Sequence, residues 1–141
     1  TSFIAADQVD LNRGEPLAER LLEFARQLRL VIEQFRPDEA AVEDVFHAKN
    51  ARSALRLAHT RGAALLILAE RGVPYAEYSP AQVKLSVTGY GRATKEQVRH
   101  MVEALLGVSL VSVAEDACDA LAVALCHALR SGYSVGASGT L

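Results

Sequence analysis

The sequence predicts an α/β fold, and three observations carry that expectation. Short apolar segments alternate with helices of amphipathic period; one such segment, residues 40–42, stops on a carboxylate, Glu43; and the helix that follows carries a face of one charge sign. Apolar strands buried on both faces seldom end on an acid, because a buried carboxylate must be paired, metal-bound or protonated. An acid at a strand's carboxyl end, beside a positive helix, is where an α/β protein does chemistry on a phosphate.

Taken in order, residues 2–9 (SFIAADQV) are expected as a strand of poor alternation, followed by the turn LNRGEP. From Leu17 to Phe35 the apolar positions 17, 21, 24, 28, 31 and 35 recur every three or four residues. Leu22, Ala25 and Ile32 widen that stripe, Arg20, Glu23, Arg26 and Arg29 face away, and Pro37 stops the helix, which is read as structural cover for a sheet. After the strand ending at Glu43, a helix over 50–71 shows two stripes. Ala51, Leu55, Ala58, Gly62, Leu65, Leu66 and Ala69 form the apolar one; Lys49, Arg52, Arg56 and His59 form the basic one. No acid interrupts from His47 to Ala69, so a phosphate contact and simple solvation both remain open for that basic face. The turns AALLILA are apolar nearly all round, which calls for burial on two sides, by the chain's own sheet and by a second copy.

Gly72 ends that helix and VPYAEY reads as a further strand. Ser79 caps the helix PAQVKLSV with Pro80 at its first position. TGYGR is a glycine loop, and Thr94 with Gln97 makes a capping box for the next helix, whose core face is Val98, Met101, Val102, Leu105 and Leu106. Lys84, Arg92, Lys95 and Arg99 cluster around the loop, where backbone N–H groups and lysines can hold a phosphate. The last helix is expected over 112–130, with Ser112 and Glu115 as a second capping box. Asp116 suits the positive end of that helix. Asp119 lies a turn deeper among apolar residues, where aspartate is a poor helix former and costly if unpaired. The i,i+3 spacing allows the two to share a hard cation. Residues 132–141 (GYSVGASGTL) read as a flexible tail after a single domain over 1–131.

With 141 residues, half of them hydrophobic, the chain suits one domain with a core, and a net charge of −2 confines any nucleic-acid site to a local patch. No apolar run approaches the roughly 20 residues of a membrane span, and no secretory leader is visible. Cys118 and Cys126 fit no metal motif and lie too far apart in one helix to bridge, so they are expected as free, buried thiols in a reducing cytoplasm. No zinc, GxSxG or GxGxxG pattern is present. The chain opens at Thr1 and its one methionine is Met101, so it is not expected to begin at a translation start.

Four blocks, VEDVFHAKNARSAL, RGAALLILAERGVPYAEYSPAQVK, VTGYGRATKEQVRHMV and DACDALAVALCHA, resemble the RuvC family of bacterial Holliday-junction resolvases, in register from about Leu17 to His127. The resemblance implies a ribonuclease H-like mixed sheet flanked by helices. It implies a structure-specific endonuclease that resolves four-way DNA junctions by symmetric paired nicks, with Mg2+ or Mn2+, two ions per site, as cofactor. By the same resemblance Glu43, Asp116 and Asp119 are the catalytic, metal-binding acids, Phe46 contacts DNA near the junction's centre, and Lys84 and Lys95 engage phosphates. Lys49, Arg52, Arg56 and Arg92 join them as candidate DNA contacts. It further implies a homodimer through the helix 50–71, the junction branch-migration complex as a candidate partner, and a place at the bacterial nucleoid. The family's opening strand, whose aspartate is the first metal ligand, has no counterpart here; Asp7 and Asp10 lie in the wrong context. The expected sheet order therefore makes residues 2–9 a third strand, with two strands of the family absent. The alternative reading is a junction-binding protein without nuclease activity. Phosphotransfer to a small molecule on the same fold would need nucleotide-binding segments that this chain lacks.

Overall fold

A computed structural model describes residues 2–44 and 51–133 of the chain. The expected positions Phe46 and Lys49, and the tail from residue 134, lie outside the described residues. The order is α1 (Leu17–Phe35), β1 (Ala40–Glu43), α2 (Ala51–Glu70), β2 (Tyr75–Tyr78), α3 (Pro80–Thr88), α4 (Lys95–Leu106) and α5 (Glu115–Arg130). This is the strand-and-helix alternation of a ribonuclease H-like α/β protein. The two strands are neighbours in one sheet. The Ala40 N–H donates to the Pro74 carbonyl at 2.9 Å and the Asp44 N–H to the Tyr78 carbonyl at 2.8 Å. Both bonds run with the same sequence offset, so the strands are parallel.

Residues 2–10 form no strand, against the expectation for 2–9. A strand needs a neighbour for its backbone groups, and the described residues hold no further strand to supply one. Within the segment the Gln8 N–H donates to Asp7 Oδ1 at 2.8 Å.

The chain divides into two compact units. The first, residues 9–40 and 45–76, contains the helix pair α1 and α2, which pack on each other. α1 ends at Arg36 in the left-handed region (φ 47°), its N–H bonded to the Ile32 carbonyl, because Pro37 denies Arg36 the right-handed helical conformation. Ion pairs Arg29–Glu70 (3.0 Å) and Arg71–Glu33 (2.6 Å) join α1 to the end of α2. Among the described residues of this unit, only Ile32, Ile67, Leu68 and Val73 are buried. The expected apolar stripe of α2 is mostly at the surface, with Ala51, Leu55, Ala58, Gly62, Leu66 and Ala69 exposed and Leu65 half-buried.

The second unit, residues 1–8, 41–44 and 77–141, holds α3, α4 and α5, each packed on the other two. Ser79 and Thr94 start α3 and α4 with reciprocal capping boxes: each hydroxyl accepts the N–H of the glutamine three residues on, and each glutamine carbonyl accepts the cap's own N–H. Val83, Val87, Val98, Val102, Leu110, Ala122, Val123 and Leu125 close the interior, together with the free thiols of Cys118 and Cys126. Tyr78, at the end of β2, is tied to the last turn of α5 by its hydroxyl, 2.8 Å from His127 Nδ1. Ser112 and Glu115 do not form the expected capping box. α5 starts at Glu115, so Ala114, which has no polar side chain, stands at the cap and Ser112 lies two residues before it; the Glu115 carboxylate accepts from Lys95 instead.

Candidate functional site

β1 delivers Glu43 to a cavity of about 200 Å³ in the second unit, lined also by Lys84 of α3, Lys95 of α4 and Asp119 of α5, over a floor of Pro80, Val83, Val98 and Ala122. Each polar group owes its place to a local feature of the sequence. The Asp44 bond to Tyr78 holds the end of β1 in register. The Ser79 cap fixes the start of α3, one turn before Lys84, and the Thr94 cap makes Lys95 the first residue of α4. Asp119 reaches the cavity because Ala117, Cys118 and Ala122 bury the side of α5 around it.

The electrostatics centre on Lys95. Its ammonium donates to Asp119 Oδ2 at 3.1 Å and, more tightly, to Glu115 Oε1. Hydrogen bonding to Glu115 first, and to Asp119 second, raises the lysine's pKa; the same bond to Lys95 lowers that of Glu115. Glu43 goes the other way. Desolvation chiefly, with the Asp119 charge adding, pushes its carboxyl above the ordinary carboxylate value, while Lys95 pulls it back in part. The Glu43 side chain still meets solvent. Access depends on the nearest layer of atoms and desolvation on the protein mass further out, so an exposed acid at a cavity mouth can be poorly hydrated.

Of the expected site residues, then, Glu43, Lys84, Lys95 and Asp119 share one cavity. Asp116 is exposed and lines neither this cavity nor the adjoining one. Arg52, Arg56 and Arg92 are exposed, and His59, of the same stripe on α2, is half-buried. Arg99 is taken up structurally, its guanidinium donating to the Leu110 carbonyl. The residue missed in the sequence is Glu115. Its i,i+4 spacing to Asp119 was the available signal, since that spacing stacks side chains on one helix face more directly than the i,i+3 of Asp116.

Among the described residues no group of three His, Cys, Asp or Glu side chains is placed to hold a metal ion. Glu43 and Asp119, completed by water and a substrate phosphate, are a minimal donor set for one Mg2+. They do not fit a pair of ions. Lys95 already neutralises one of the two acids.

The alternation of strands and helices, with an acid-bearing strand end beside lysines, places the chain in the class of ribonuclease H-like α/β proteins. The family model described as crossover junction endodeoxyribonuclease RuvC matches residues 1–127, and the chain belongs to that family. It is 50% identical over 115 residues to the crossover junction endodeoxyribonuclease RuvC of Chloroflexus aurantiacus, covering 82% of this chain and 70% of that one. The RuvC of Halorhodospira halophila is 48% identical over 140 residues, 99% of this chain and 83% of the relative. Among solved structures, Thermus thermophilus RuvC in complex with a Holliday junction substrate superposes with a TM-score of 0.86 at 34% identity, over 92% of this chain and 79% of that one. No described helix is long and apolar enough to cross a membrane.

Proposed function

We propose that this chain is a junction-binding member of its family: it binds four-way DNA through phosphate contacts and does not cleave it with the acids it brings together. The observation that supports this is the cavity where, among the described residues, Lys84 and Lys95 stand beside two carboxylates, one of them already paired with an ammonium. The structural likeness to a RuvC bound to a Holliday junction supports the ligand. Lys84, Lys95, Arg52, Arg56 and Arg92, with Lys49, position the sugar–phosphate backbone, a sequence-independent contact that weakens as salt rises. Phe46 enters at the junction's centre, where bases are unstacked. A homodimer formed through α2 presents two such cavities; the exposed Leu55 and Leu66 support that face. The branch-migration complex is a further proposed partner.

The test is a labelled synthetic four-way junction against a duplex of the same sequence, with and without Mg2+. Shifted, uncut junction in both buffers is the expected result. Equal affinity for duplex and junction overturns the reading.

A second reading, hydrolysis with Mg2+ or Mn2+, is favoured by one observation: the Asp119 charge acts on Glu43 across the cavity. Two facing carboxylates are what a divalent cation needs for a start, and Asp116 is the acid in sequence that could join them. Symmetric nicks in the wild-type protein that Glu43→Gln abolishes, with junction binding kept, would establish it.

A further inference from the structure

We infer that Glu115 is a positioning residue: it holds the Lys95 ammonium back from phosphate, and its release sets how strongly Lys95 engages DNA. The inference rests on the junction-binding reading and assigns Glu115 its part in it.

The geometry supplies the argument. Lys95 opens α4, and its ammonium spans two carboxylates one helical turn apart on α5, Glu115 and Asp119. The trio carries net charge −1, so an arriving phosphate meets two like charges and a cation already in use. The two acids differ in what they lose if the lysine leaves. The Asp119 side chain is 44% exposed and lies on the cavity that holds Glu43. Stripping its cation would leave the Asp119 charge acting on Glu43 with no ammonium between them to offset it. Glu115 is 70% exposed, lines only the adjoining groove with Glu96 and Arg99, and rehydrates at little cost. Lys95 therefore parts from Glu115 and stays on Asp119 when it turns to a phosphate. Its ammonium has three donors, enough for Asp119 and phosphate together. Both acids favour the protonated amine, so the exchange swaps one anion for another and moves no proton.

The measurement is junction affinity by fluorescence anisotropy on the full chain, in EDTA, across a potassium chloride series. Glu115→Gln is expected to tighten binding about twofold to fivefold at low salt, the scale of one exposed ion pair. It also steepens the dependence on salt, because a freed Lys95 no longer leaves behind a carboxylate that takes up a cation. Lys95→Gln is expected to weaken binding, and Glu115→Gln added to it to change nothing more. An unchanged thermal midpoint in Glu115→Gln accompanies this, as expected for an acid so far into solvent. Three results would overturn the inference. One is a Glu115→Gln variant that binds no tighter than wild type. Another is the same tightening on the Lys95→Gln background, which would make Glu115 a general repulsive charge. The third, a wild-type chain with no preference for junction over duplex, removes the functional reading and this inference with it.

Discussion

The two units of this protein handle their apolar residues in opposite ways. The unit of α3, α4 and α5 surrounds each helix with the other two, and valines, alanines and thiols close its interior. The helix pair of α1 and α2 has similarly clear apolar periodicity, but among its described residues it buries only Ile32, Ile67 and Leu68, leaving Leu22 63%, Leu66 60% and Leu55 58% exposed. Two helices bury a single seam between them, whereas three give each member two neighbours. Amphipathic patterning thus marks the faces that want cover, and the number of layers decides which of them receive it.

The sharpest way to break this comparison is to cut equivalent side chains in each unit. Leu110→Ala should cost about 2–5 kcal/mol in urea unfolding, the range for a buried leucine, since Leu110 is 1% exposed. Leu66→Ala should stay within about 0.5 kcal/mol for an exposed site. If Leu66→Ala costs as much as Leu110→Ala, and more so at high protein concentration, α2 is covered by a second copy and the contrast belongs to the isolated chain.

A smaller effect comes from the caps that α3 and α4 possess and α1 lacks. Thr94→Ala should lose about 1 kcal/mol and also loosen Lys95, so junction affinity should fall along with the thermal midpoint. Unchanged affinity would show that the start of α4 does not hold the lysine.

The ion pairs of the helix pair rank below this. Glu33→Gln, which removes the partner of Arg71, should cost about 0–1 kcal/mol, the usual range for pairs in solvent, read as a shift in the denaturant midpoint.

The least effect, and the most specific, is a difference of sign with pH. In the helix pair, hydrogen bonds from Arg26 and Gln27 hold Glu23 down at about 2. Its contribution is present above the ordinary carboxylate value and is lost as pH falls toward 2. In the other unit Glu43 is raised, so the folded state binds more protons there and stability declines as pH rises through its ordinary value to the higher one. Relative to wild type, Glu23→Gln should therefore look worse at pH 7 than at pH 3, and Glu43→Gln better at pH 7 than at pH 4. Equal signs in urea titrations would break the contrast.

Much of the fold was legible in the sequence. α1 could be read to the residue from its three-and-four spacing and Pro37, and α3 and α4 from Ser79, Pro80, Thr94 and Gln97, since caps and breakers act within a few residues of themselves. Glu43 was legible as an anomaly, an acid ending an apolar strand. Two local readings failed where a distant partner decided. Residues 2–9 have strand-like composition, yet a strand exists only beside another. Ser112 and Glu115 have capping-box spacing, yet Glu115 finds an ammonium 20 positions away.

By itself, then, the sequence determined the bounds of α1 and the starts of α3 and α4, the strand that ends on Glu43, which faces are apolar, and which family the chain joins. Local backbone chemistry and side-chain periodicity are written in neighbouring residues. Only the tertiary structure decided that Asp119 shares Lys95 with Glu115, that Asp116 stays outside the cavity, and that Glu43 is poorly hydrated. Ion pairing and desolvation depend on what lies within a few ångströms in space, and the chain brings those groups together only by folding.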